Sequence, residues 1–236
     1  MALAACYRIL VASNATSITS LLFNPSGPSG PALNVTSETT VGTQPTWVTG
    51  HPTNPSLAFT NLEQDNGMAL ALSYDSTGNG TIVGQVPSGG AGPTFLLTTT
   101  DALFIANVRS MRPSSCARVE RLLTPVGADD VSAVNPQFGS GSVMAAPLSA
   151  SPPFFLDAPP RAVLQLNGSG PNTDRQQSSH PHDVVTVPGR TEILVPDLGA
   201  DRTWRLAYDE GGSSLSVQGS VVYPAGSGPR HAVFQS

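Results

Sequence analysis

The sequence predicts an all-β chain assembled from repeated blades, and three observations carry that prediction. The chain holds 23 Gly and 22 Pro in 236 residues, a turn-rich composition suited to many short strands. Apolar residues alternate with small or polar ones over short segments punctuated by Gly, Asn and Asp. A short proline-centred element also recurs at regular distances, which is the first thing to seek in a chain of this size.

The recurring element is Gln44-Pro-Thr-Trp47, Gly92-Pro-Thr-Phe95, His180-Pro-His-Asp183 and Gly228-Pro-Arg-His231, with the prolines 48, 88 and 48 residues apart. Each of the first three leads to a strand-like run closed by Asn or Asp. The runs are Leu57–Asn61, Leu103–Asn107 and Ile193–Asp197, at Pro-to-Asn/Asp offsets of 16, 14 and 16. A second alternating stretch follows each: Gly67–Tyr74, Gly141–Leu148 and Asp201–Tyr208. A third, Gly80–Val86 or Leu215–Val222, completes two of the units. Three to four short strands in about 45–50 residues is the period of a β-propeller blade. A plain β-sandwich is the alternative, but it gives no reason for the registered offset. One stretch, Ser114–Leu123, has helical patterning.

Composition excludes several classes. The chain is 39% hydrophobic and 11% charged, with eleven Arg, no Lys and a net charge of -5, so it lacks the basic footprint of a nucleic-acid binder. No apolar run approaches the ~18 residues of a membrane helix. The opening Met1–Arg8 has no basic leader and is broken by Arg8, which argues against a signal peptide. Two cysteines, Cys6 and Cys116, make neither a disulfide framework nor a metal motif. Asn-x-Ser/Thr triplets at Asn14, Asn34, Asn79 and Asn167 are what so Ser/Thr-rich a chain contains by chance. The expectation is a soluble cytoplasmic protein with neither nucleic-acid nor membrane partners.

Several segments occur together and in order: Ser88-Gly-Gly-Ala-Gly-Pro93, Leu103-Phe-Ile-Ala-Asn107, Phe138-Gly-Ser-Gly-Ser-Val143 and Gly168-Ser-Gly-Pro-Asn172. After them come Asp174-Arg-Gln176, His180-Pro-His182, Leu194–Arg202 and Gly226-Ser-Gly-Pro-Arg-His231. In combination the set resembles the seven-bladed β-propeller lactonase family, which includes 6-phosphogluconolactonases and carboxy-cis,cis-muconate lactonizing enzymes of the cycloisomerase 2 type. The resemblance implies one partial propeller domain over residues 1–236, with about four blades.

The sequence departs from the family pattern twice. Seven blades need about 340 residues, so the chain reads as a fragment or a truncated gene product. Residues 108–137 also intervene where the family runs almost directly from Leu-Phe-Ile-Ala-Asn into Phe-Gly-Ser-Gly-Ser, whereas hairpin loops usually hold 2–5 residues. Two readings of this insert stand. It is a surface excursion carrying the short helix, or a translated intron, since Val108 and Gln137 can supply the GT and AG ends in frame. The second is preferred, because excision restores the hairpin.

Lactone opening needs a base to activate water and a cation for the developing oxyanion. Lactone closure on a muconate needs an acid or base and cations for the carboxylates. The resemblance implies His182 as the acid–base and Arg230, one blade period later, as the anion binder. Arg175, Asp197 and Glu63 are expected to contact substrate. The structural alternatives are a turn that ties blades at His180–His182 and an inter-blade ion pair at Arg230.

Asp174, Asp201 and Arg202 read mainly as loop and turn residues. Trp47, Phe95 and Trp204 read as blade filling. His231 is expected to point away from Arg230 by strand alternation. Pro181 and the lack of clustered ligands speak against metal binding by His180 and His182. No nucleophile elbow or phosphate loop is present, and no cofactor is implied.

The expected activity is hydrolysis of a sugar-acid lactone such as 6-phosphogluconolactone. Carboxy-cis,cis-muconate cycloisomerase chemistry and a non-catalytic binding propeller are the alternatives. The expected partner is a lactone or muconate-type anion. The family's further acidic and arginine residues would follow Arg230 in later blades, so this chain is expected to be inactive alone.

Overall fold

The computed structural model describes residues 6–27, 29–109, 140–155, 161–209 and 211–235. They form fifteen strands in four antiparallel sheets, each a simple meander of consecutive strands. The first blade is β1 (Tyr7–Val11), β2 (Ser17–Asn24) and β3 (Ala32–Thr40). The second is β4 (Val48–Gly50), β5 (Leu57–Leu62), β6 (Met68–Tyr74) and β7 (Gly80–Pro87). The third is β8 (Ala91–Thr98), β9 (Ala102–Arg109), β10 (Ser142–Pro147) and β11 (Ala162–Gln165). The fourth is β12 (Val185–Thr186), β13 (Glu192–Asp197), β14 (Arg202–Tyr208) and β15 (Leu215–Val222). Four blades of a partial propeller are therefore present. The first of them, with no proline element to announce it, has no counterpart in the sequence reading.

Period-2 alternation explains how blades stack. Along β9, Leu103 and Ile105 face the second blade and pack in one cluster with Phe59, Ala69, Ala71, Leu96 and Met144. Ala102, Phe104 and Ala106 face the fourth and pack with Val143, Ala145, Ile193, Val195 and Leu206. A third cluster, Ile18 and Val41 with Ala58, Leu70, Leu72 and Tyr74, joins the first blade to the second. The core is thus three apolar layers between blades, so both faces of the second and third sheets are buried and their middle strands read as nearly continuous apolar runs. Alanines at 69, 71, 102, 106 and 145 let neighbouring sheets approach.

β9 and β10 pair in unbroken register from Asn107↔Ser142 to Ala102↔Pro147, so the hairpin forms across the long connection. Val108 and Arg109, read from sequence as the start of the insert, are part of β9. The expected helix at Ser114–Leu123, Cys116 and most of the insert lie outside the described residues.

Candidate functional site

The registered Pro-to-Asn/Asp offset has a hydrogen-bonding cause. Asn61, near the end of β5, accepts from the backbone N–H of Trp47 at 2.7 Å and of Thr46 at 3.2 Å, and its amide donates to the Pro93 carbonyl of the next blade. Asn107 donates to the Ser88 carbonyl at 2.8 Å. Asp197 accepts from the His180 N–H at 2.7 Å and from the Ser179 hydroxyl, and residues 181 and 197 form a β-bridge. The residue closing the second strand therefore fastens the segment that leads into a blade. Asn61 and Asp197 do this as acceptors and Asn107 as a donor, each at a nearly fixed offset from the proline.

This fastening brings the second, third and fourth blades around one cavity of about 310 Å³. Its lining includes Glu63, Thr94, Arg109, Arg175, Gln177, His180 and His182. Glu63 follows β5 and is held by its N–H donating to the Gln44 carbonyl at 2.9 Å. Arg175 and Gln177 flank the buried Gln176, whose amide donates to Asp201 at 2.6 Å and to the Leu198 carbonyl at 2.8 Å. Anchoring that one side chain presents its two neighbours to the cavity.

His182 is placed by its N–H donating to the Pro196 carbonyl at 3.0 Å. Its Nε2 lies 3.1 Å from Nε of Arg230. A guanidinium only donates, so Nε2 accepts and the ring proton sits on Nδ1, which is buried with no partner among the described residues. Burial, reinforced by the positive charge of Arg230, lowers the His182 pKa to about 4, so the imidazole is neutral at neutral pH. His180 is also held below its ordinary value. Burial leads there against the opposing pull of Asp197, and Arg109 and Arg175 add to the lowering.

Arg230 owes its position to Asp201, which adopts the left-handed backbone uncommon for a non-glycine residue, at φ 48°. Its carboxylate accepts from the N–H groups of Gly226 at 2.7 Å and Gly228 at 2.8 Å. Burial alone would raise the Asp201 pKa, but these donors and Gln176 outweigh it and hold the group low. The loop carrying Arg230 is thereby tied to the fourth blade.

The structure thus gathers Glu63, Arg175 and His182 at one cavity and sets Arg230 against His182. Asp197 sits elsewhere. It is fully buried and accepts from Ser179, His180, Gly199, Ala200 and the indole of Trp204, and it is not part of the cavity lining. His231 departs from the alternation expected of it. Residues 224–235 form no strand, and the His231 ring stands edge-on to His182 with centroids 5.3 Å apart, its Nδ1 3.5 Å from Asp183. Arg109 and Gln177 were not among the sequence candidates. Arg109 carries no signal in the sequence because it falls within residues 108–137, which break the family pattern. Trp47, Phe95 and Trp204 pack against the inter-blade clusters.

A wider groove on the fourth blade is lined by Arg190, Glu192 and Arg205, and both arginines pair with the one carboxylate. Arg205 holds Glu192 at 2.6 and 3.2 Å, with Arg190 3.8 Å away.

Residues 126–236 match the family model described as lactonase, 7-bladed β-propeller. The "Probable 6-phosphogluconolactonase" of Arthroderma benhamiae is 35% identical over 72 residues, 30% of this chain and 18% of that protein. A Bacteroides fragilis structure described as a "putative 6-phosphogluconolactonase" superposes with a TM-score of 0.71 at 21% identity, over 96% of this chain and 57% of that one. The periplasmic gluconolactonase of Pseudomonas aeruginosa gives 0.68 at 23% identity, over 98% and 59%. At these identities the structures speak to fold, and this chain spans under three fifths of either. With the match over residues 126–236 and the four meander blades, the chain is similar to the seven-bladed β-propeller lactonase family and shares its propeller fold.

Proposed function

We propose that the cavity is a lactone-hydrolysing site and that its substrate is a sugar-acid lactone such as 6-phosphogluconolactone. The observation that carries this reading is the His182–Arg230 pair beside the cavity: a neutral imidazole whose one basic nitrogen is occupied by a guanidinium. The named activity of the Arthroderma relative supports it.

The pair suits lactone opening because its two roles are exchanged by substrate. When the carbonyl oxygen of a lactone draws the Arg230 guanidinium, Nε2 of His182 loses its donor and becomes available to water. Water then attacks the carbonyl carbon. Its proton goes to Nε2, and the new oxyanion is held by Arg230. As the tetrahedral species collapses, the ring C–O bond breaks and the proton on Nε2 passes to the departing alkoxide. The product is a hydroxy acid, whose carboxylate Arg230 also suits. Glu63 and Arg175 lie where they can contact the sugar hydroxyls and its remaining charge.

Binding is the decisive readout for this chain. Titration with 6-phosphogluconate, the hydrolysis product, should give saturable binding, weakened at least about tenfold in Arg230→Ala. Where 6-phosphogluconolactone turns over above its spontaneous rate, His182→Ala should slow it by about 10²-fold or more. Unchanged binding in Arg230→Ala, or unchanged turnover in His182→Ala, would contradict the reading.

A further inference from the structure

The cavity carries a guanidinium that lactone opening does not use. Arg109 ends β9 in the third blade, whereas His182 and Arg175 belong to the segment leading into the fourth, and all three line the same space. Two features position Arg109. Its Nη1 lies 3.0 Å from Oδ1 of Asp65. Its guanidinium also lies against Gly92, where φ is 59° and an added Cβ would stand 3.3 Å from Nη2 and 3.4 Å from Nε. Gly92 both permits the left-handed backbone and leaves the room that the guanidinium occupies.

The ion pair is lopsided. The Arg109 side chain is 30% exposed, but that of Asp65 is 87% exposed, so solvent can take over the carboxylate at little cost. An anion arriving from the cavity can replace Asp65 as the acceptor. Arg175 lines the same cavity from the segment leading into the fourth blade, beside Asp174. Planar guanidiniums that approach from two sides suit a tetrahedral dianion better than a single planar carboxylate.

The geometry points to a second anion subsite, formed by Arg109 and Arg175 apart from the His182–Arg230 pair, that takes the phosphate monoester of a phosphorylated sugar-acid lactone. This inference rests on the lactonase reading and adds to it a source of selectivity. His182 and Arg230 act on the lactone group, and Arg109 with Arg175 sets the preference for a phosphorylated over an unphosphorylated substrate.

Calorimetric titration of the full chain with 6-phosphogluconate and with gluconate tests this, with the ratio of the two affinities as the readout. Arg109→Ala should lower the preference for the phosphorylated ligand by about tenfold. Asp65→Asn, which removes the competing carboxylate, should raise it by about twofold or more, an effect that a folding defect would not mimic. An unchanged ratio in Arg109→Ala overturns the subsite. So does an Asp65→Asn ratio that falls with that of Arg109→Ala, because the pair is then merely structural. Arg230→Ala separates the two readings: if it leaves both affinities intact while Arg109→Ala still lowers the ratio, the lactonase reading fails and the phosphate subsite stands. If neither ligand binds, both fail.

Discussion

Asp197 gathers five donors on one buried carboxylate: the Ser179 hydroxyl, the N–H groups of His180, Gly199 and Ala200, and the Trp204 indole. The sequence marked this position correctly as special, through its offset from Pro181, but residue type alone did not separate a substrate contact from a blade fastener. The equivalent positions Asn61 and Asn107 fasten blades with an uncharged amide, Asn61 by accepting and donating and Asn107 by donating to the Ser88 carbonyl, so the fastening does not require charge. Removing one buried partner leaves donors unsatisfied, at about 1–3 kcal/mol each. Asp197→Ala should therefore lower the unfolding free energy by at least about 3 kcal/mol, measured by urea denaturation, and Asp197→Asn by clearly less. A loss below about 1 kcal/mol in Asp197→Ala would refute the fastening role. His231 teaches the complementary point. Alternation placed it away from Arg230 on the assumption of a strand, but residues 224–235 form none, and the ring turns onto His182 instead.

At the level of elements, the strands with a proline before them and an Asn or Asp at their end were legible, and the reason is now visible in the bonds those residues make. The first blade was not legible. Its ties to the second run through Ser20, which donates to the Gly78 carbonyl at 2.9 Å, and Ser37, which donates to the same oxygen at 2.5 Å. Serines are too common in this chain to stand out. Glycines at blade junctions were also silent. At Gly141, which opens the β10 side of the hairpin, a Cβ would run into Pro181 Cδ and lie 2.7 Å from the Ser179 carbonyl oxygen. Its N–H donates to that carbonyl at 2.8 Å. The third and fourth blades meet here backbone to backbone. Gly141→Ala should cost about 1–3 kcal/mol through forced separation of the blades, read as a lowered urea midpoint. A neutral substitution would show that the junction yields more easily than the close contact implies.

For the whole molecule, the three inter-blade layers place the cavity. The second, third and fourth blades each contribute one wall because their loops are fastened by Asn61, Asn107 and Asp197 to neighbouring chain segments. The resemblance points to His182 and Arg230, and sequence position to Arg175 and Glu63; the stacked blades bring His182, Arg175 and Glu63 to one space with Arg230 on His182. Arg109 was invisible because it sits at the edge of a segment that breaks the family pattern, yet pairing in β9 carries its side chain to the cavity.

The central claim is that substrate exchanges the Arg230 guanidinium away from a neutral His182. Nitrogen-15 NMR of the histidine rings, followed between pH 3 and pH 8 with and without 6-phosphogluconate, tests it most directly. In the free chain His182 should stay neutral with its proton on Nδ1 down to about pH 4. At pH 7, adding 6-phosphogluconate should shift the Nε2 resonance as the Arg230 contact is replaced. A His182 that titrates near the ordinary value of 6.5, or an Nε2 resonance that saturating ligand leaves unmoved, would contradict it.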